Sequence, residues 1–151
     1  MVSRMFRIET EVDRQRRDLL RSRLRDTNTE ASPVLRELRG TQLDREVPLQ
    51  LWALDESGEL AAGLDAHTWG RWLHVNLLWV DARHRGTGLG SQLLTAAERT
   101  AREERDCVNS RVWTWDFQAP DFDRKYGYEV VCAIPDYPAG ITEYTLTKRI
   151  G

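Results

Sequence analysis

The chain has 151 residues, with 22 basic and 24 acidic side chains and a formal net charge of −2. That length fits a single domain over residues 1–151, and a chain of about 150 residues buries roughly 68–70% of its unfolded surface, so its core needs neither a disulfide nor a metal. Near-neutrality excludes a protein that holds nucleic acid by net charge alone, and no apolar run reaches the roughly 18 residues that would cross a membrane.

The first residues, Met1-Val2-Ser3-Arg4-Met5-Phe6-Arg7, carry no apolar signal core, so a cytoplasmic protein is expected. Cys107 and Cys132 stand far apart, without a C-x-x-C pair or a nearby His at ligand spacing. They read as reduced core thiols, and no metal site is expected. All basic residues except Lys125 and Lys148 are arginine, which reads as codon bias rather than function. Six tryptophans is a high number for this length.

Met5 to Glu9 reads as a short strand. Thr10-Glu11-Val12-Asp13 has a capping-box pattern and predicts a helix over about 11–25, with Val12, Leu19, Leu20 and Leu24 on its apolar side. Asp26 to Pro33 reads as a polar break, and Pro33 to Arg39 as a second, short helix. Pro48 to Leu54 and Leu60 to Thr68 then read as a strand hairpin around Glu56-Ser57-Gly58. Arg71 to Val80 is the strongest strand, with apolar residues in both alternation sets, which predicts cover on both faces. A Gly-, Arg- and His-rich loop follows over 81–87. The helix over 88–104 has Leu89, Leu93, Leu94, Ala97 and Ala101 on one side. Val108 to Phe117 reads as a buried strand in which Trp113 and Trp115 alternate with Val112 and Thr114. A short helix opened by Pro120 ends at Gly127. Strands over 128–133 and 141–148 close a β-α-α-β-β-β-α-β-α-β-β order. This is an α/β chain with a mixed sheet and helices on its faces.

The chemical signal is Arg85-Gly86-Thr87-Gly88-Leu89-Gly90, set between a strand and an amphipathic helix. Alternate glycines allow tight turns and expose backbone N–H groups, and the helix N-terminus adds partial positive charge. Together they form a seat for a phosphate or pyrophosphate. No Lys follows in Walker position, and the third glycine comes one residue too early for a dinucleotide fingerprint.

This loop resembles the acetyl-CoA loop [QR]-x-x-G-x-[GA] of the GCN5-related N-acetyltransferases (GNAT), matching each fixed position. Phe122-Asp123-Arg124-Lys125-Tyr126-Gly127-Tyr128 is similar to the family's later F-Y-e-k-x-G-[FY] stretch. Phe117-Gln118-Ala119-Pro120 and Asp136 to Gly140 resemble one bacterial branch of it. The resemblance covers roughly residues 47–149. It implies a mixed, mostly antiparallel sheet splayed at the acetyl-CoA site, with helices on both faces.

The resemblance also implies acetyl-CoA as cosubstrate and direct transfer of its acetyl group to an amine. The backbone of Leu78 and Val80 would serve the pantetheine arm, with an N–H near them polarising the thioester carbonyl. The amides of Arg85, Gly86, Thr87, Gly88, Leu89, Gly90 and Ser91 would hold the pyrophosphate, and Gln118 would bond the pantetheine. The family's usual acid is the Tyr of F-Y, and that position here is Asp123, ionised at pH 7 unless strongly desolvated. Asp123 and Tyr126 are the candidate acids. Some members place a Glu base on the central strand where this chain has His74, a side chain suited to accepting a proton near neutrality and expected on the same side as Asn76, Leu78 and Val80. Asp65 and His67 are candidates for lining the acceptor cleft, and Arg83, His84 and Arg85 for facing the coenzyme's phosphates. The expected partners are a small-molecule amine (a protein amine being the alternative), no nucleic acid, no membrane, and a second copy of the chain in a homodimer. A non-catalytic acyl-CoA sensor is the competing reading.

Overall fold

A computed structural model describes residues 5–118 and 120–151, leaving out the side chains of Pro120, Phe122 and Asp123. Its backbone groups into two compact units, residues 1–40 and 41–151.

In the first unit, residues 6–13 are irregular where a strand was expected. Glu9 instead takes Arg7 and Arg16 as ion-pair partners, at 2.6 and 2.8 Å. Helix α1 (Arg14–Ala31) starts later than the capping-box pattern suggested: Asp13 is its N-cap, accepting from the Arg16 N–H at 2.9 Å. The helix also runs through the expected polar break. Thr27 and Thr29 each donate their hydroxyl to the carbonyl four residues back, at 2.9 and 2.8 Å, so their competing hydrogen-bond capacity is absorbed within the helix. Ser32 then ends α1 and caps α2 (Pro33–Leu38), whose first turn holds Pro33. Leu19, Leu20 and Leu24 are exposed rather than core residues.

The second unit is a six-stranded sheet in the order β1-β2-β3-β4-β6-β5. The strands are β1 (Val47–Leu54), β2 (Leu60–Trp69), β3 (Trp72–Val80), β4 (Asn109–Trp115), β5 (Glu129–Ile134) and β6 (Glu143–Arg149). Every neighbouring pair is antiparallel except β3 and β4. Helix α3 (Leu89–Arg105) packs across β1, β2 and β3, and α4 (Pro120–Lys125) precedes β5. The result is the mixed, mostly antiparallel open sheet that the sequence implied.

The core lies between α3 and one face of the sheet. Leu93, Leu94, Ala97 and Ala101 meet Leu49, Leu64, Ala66, Leu73 and Val75 there. Register places Pro48, Gln50 and Trp52 on the opposite face with Gly63, Asp65, His67 and Trp69, and with Trp72 and His74. Gly63 lets the Trp52 ring lie close: a β-carbon there would stand 3.0 Å from the ring and push it outward.

One extra residue reorganises β3. Asp65 pairs with Leu77 and Ala66 with Val75, so Asn76 is a bulge. A bulge inverts the alternation beyond it. Leu78 and Val80 therefore pack against the core, whereas His74 lies on the other face, and the expected common side for these residues is corrected. Leu77 and Trp79 turn outward and are exposed, so β3 is not covered on both faces as expected. All six tryptophans fall on this second face by register, and none belongs to the buried core. Cys107 is buried as expected, but Cys132 is exposed on the edge strand β5.

A buried polar knot joins α3 to the far strands. Lys148 Nζ donates to both Glu98 carboxylate oxygens at 2.8 and 3.1 Å, and Tyr128 Oη donates to Glu98 Oε2 at 3.1 Å. Ser110 Oγ lies 2.8 Å from Tyr128 Oη. Glu98→Ala should strip Lys148 and Tyr128 of a shared acceptor and lower unfolding stability by about 2–4 kcal/mol. Urea denaturation should show a lower midpoint at unchanged slope, with a smaller loss for Glu98→Gln.

Candidate active site

The parallel pairing of β3 with β4 lasts for four residue pairs, from Trp72 with Asn109 to Val75 with Val112. Beyond it the strands part at the Asn76 bulge. A cleft of about 860 Å³ opens in the gap, near the top of the size range of roughly 300–1,000 Å³ usual for small-molecule sites. Leu77 to Val80 form one wall, Val112 to Thr114 the other, and Gly86, Gly88, Leu89, Gly90 and Ser91 close one end.

The loop has the geometry its glycines suggested. Gly86 and Gly88 have φ of +79° and +82°, in the left-handed region where a β-carbon is unfavourable. Gly88 is the N-cap of α3 and brings no capping side chain. The first intrahelical bond of this turn is Gln92 N–H to the Gly88 carbonyl at 3.0 Å. The amides before it therefore face the cleft end with the helix dipole behind them, which suits an anionic group. Thr87 ties the loop internally, donating its hydroxyl to the His84 carbonyl at 2.6 Å.

Of the three basic loop residues, His84 and Arg85 line the cleft. Arg83 does not, because it is bound to Asp81 at 3.1 Å, and its hydrogen bonds hold the Asp81 carboxyl down at about 2. Lys125 lines the cleft from the end of α4 and supplies a cation that sequence reasoning overlooked. Asn76, Trp113 and Thr114 were likewise missed as lining residues; only the bulge and the splay reveal them.

Gln118 lines the cleft with half of its amide engaged. Its Oε1 accepts from the Trp115 N–H at 2.8 Å and from the Thr114 hydroxyl at 3.1 Å, and its NH₂ group has no hydrogen-bond partner among the described residues. Tyr126 is half-buried, packed against the core and part of the lining. The side chain of Asp123 lies outside the described residues.

His74 is not part of the cleft lining. It sits on the second sheet face, stacked on His67 with ring centroids 4.6 Å apart and planes 4° from parallel. Its Nε2 is shielded and has no hydrogen-bond partner among the described residues. Burial, and after it the nearby His67 and Arg111, holds the His74 imidazole below its ordinary value of 6.5. A neutral ring with an open nitrogen is the form that can accept a proton. Among the described residues, no group of three or more His, Cys, Asp or Glu could hold a metal. No described helix is long and apolar enough to cross a membrane.

The sequence profile of the acetyltransferase (GNAT) family matches residues 14–128. A blasticidin-S acetyltransferase of Streptomyces morookaense is 52% identical over 131 residues, covering 85% of this chain and 96% of that protein. The crystal structure of a Bacillus cereus acetyltransferase superimposes with a TM-score of 0.83 over 96% of this chain and 98% of that one, at 28% identity. An aminoglycoside 6'-N-acetyltransferase solved with coenzyme A shares the fold, with a TM-score of 0.62 at 17% identity over 94% and 96% of the two chains.

Because folding lowers the pKa of His74, the unfolded chain binds a proton here more readily than the folded one. The resulting stability is present above pH 6.5 and declines as pH falls through and below that value. His74→Gln should flatten this part of the pH–stability curve, as read from urea midpoints between neutral and mildly acid pH.

Proposed function

The chain belongs to the acetyltransferase (GNAT) family and is an acetyl-CoA-dependent N-acetyltransferase, and from that premise we propose that its acceptor is an amino group of blasticidin S. The observation that carries this reading is the 52% identity to a blasticidin-S acetyltransferase, spanning 96% of that protein. The sensor reading has no comparable support. Since acetyl-CoA is consumed inside cells, the reading also places the protein in the cytoplasm.

In this reading the pyrophosphate rests on the amides from Arg85 to Ser91, with Arg85 and Lys125 as flanking cations. The pantetheine arm follows the edge of Leu78 to Val80 that β4 leaves open, within reach of the Gln118 NH₂ group. Backbone N–H groups on that edge stabilise the oxyanion that develops on the acetyl carbonyl. The amine approaches across the second face, where Asp65, His67 and His74 lie, and meets the cleft at Asn76. Its ammonium proton passes to His74 Nε2 when the His67–His74 stack parts to uncover that nitrogen, the freed lone pair forms the N–C bond, and the C–S bond breaks. Coenzyme A leaves as a thiolate that takes its proton from Tyr126, and the second proton shed by the new amide nitrogen restores the phenol.

Release of free coenzyme A thiol, followed with blasticidin S and a panel of other amines, tests each part. Blasticidin S should be turned over with the highest kcat/KM. His74→Ala should lower kcat by about 100-fold or more with little change in the KM for acetyl-CoA. Gly88→Val, which places a branched side chain at positive φ, should raise that KM by about tenfold, the loss of roughly one charge-assisted hydrogen bond. Turnover of other amines but not of blasticidin S would sink the acceptor assignment. Undiminished turnover by His74→Ala would sink the base.

A further inference from the structure

The stacked imidazoles stand at the end of a polar chain that crosses three strands. Gln50 Nε2, on β1, donates to Asp65 Oδ1 at 2.8 Å. Asn76 Nδ2, at the bulge of β3, faces Asp65 Oδ2 at 3.5 Å and His67 Nδ1 at 3.0 Å. A carboxylate only accepts, so Asp65 fixes which end of the Asn76 amide is the NH₂ group. That NH₂ group then only donates, so His67 Nδ1 must be the acceptor and its proton must sit on Nε2. His74 differs: its Nε2 is the shielded nitrogen with no partner among the described residues.

We propose that Asn76 is a positioning residue that pins His67 as its Nε2–H tautomer, so that within this stack the acceptor amine delivers its proton to His74 Nε2. The proposal rests on the base assignment made above. His67 could take a second proton only by giving up its bond from Asn76, and the resulting imidazolium would lie 4.6 Å from the ring that must itself become positive. The charged and titratable groups around the pair are Asp65 on β2, Arg111 on β4 and Glu46 just ahead of β1. Asn76 is also the one member of the chain that lines the cleft, which couples the imidazole pair to the place where the acetyl group is presented. The bulge supplies this arrangement: without the extra residue, position 76 would lie in the β3–β4 ladder instead of at its end.

Nitrogen-15 NMR of the native enzyme reads the tautomer directly. Expected is an unprotonated Nδ1 and a protonated Nε2 for His67. Asn76→Asp replaces the donor with an acceptor of the same shape, so Nδ1 should become protonated. The loss of the donor should lower kcat at pH 7 by about tenfold. Asn76→Gln, which keeps the donor, should retain more activity than Asn76→Asp. A native His67 protonated on Nδ1 overturns the proposal whatever the turnover, and so does an undiminished kcat in Asn76→Asp. Full activity in His74→Ala overturns the base assignment itself, whatever the spectrum of His67.

Discussion

The structure turns on a single mismatch in strand length. Between Asp65 and Ala66 of β2, strand β3 carries one residue too many, and the parallel seam with β4 stops at Val75 and Val112. A regular β3 would have continued to pair with β4, leaving no open backbone edge and no room beside α3's N-terminus. The bulge converts a closed sheet into two half-sheets joined at one end. The cleft walls and the placement of His74 away from Leu78 both follow from it.

Because those half-sheets share so short a seam, they need a second connection. The Glu98 carboxylate supplies it from α3, receiving Lys148 of β6 and Tyr128 just ahead of β5. Ser110 of β4 reaches the same phenol. Buried charge is costly unless fully paired, and here both carboxylate oxygens have donors. The helix that offers its N-terminus to the cleft is thus anchored by its middle turn to the strands beyond the gap.

Much of this was legible in the sequence, but unevenly. The glycine loop, the amphipathic α3 and the strand order were readable because local steric rules govern them: alternate glycines, a 3.6-residue apolar period, and turn residues between β-rich runs. The bulge was not. Leu77, Leu78, Trp79 and Val80 are all apolar, so alternation carries no phase there, and the reading of β3 passed through Asn76 and put His74 on the wrong face. The continuation of α1 past Asp26 was hidden for another reason: Thr27 and Thr29 look like breakers, yet their hydroxyls bond back into the helix. The basic loop residues were grouped by proximity in sequence, while the fold spends Arg83 on Asp81 and brings Lys125 from α4.

The tryptophans give the sheet an optical asymmetry. All six stand on the face away from α3, and Trp79 and Trp113 border the cleft from opposite walls. Indole emission responds to local polarity and to nearby quenching groups, and none of it is diluted here by a tryptophan sealed in the core. Native fluorescence therefore reports from the second sheet face and the gap, with no attached dye. The same residues that add nothing to the interior make the two halves of the site visible as they fill.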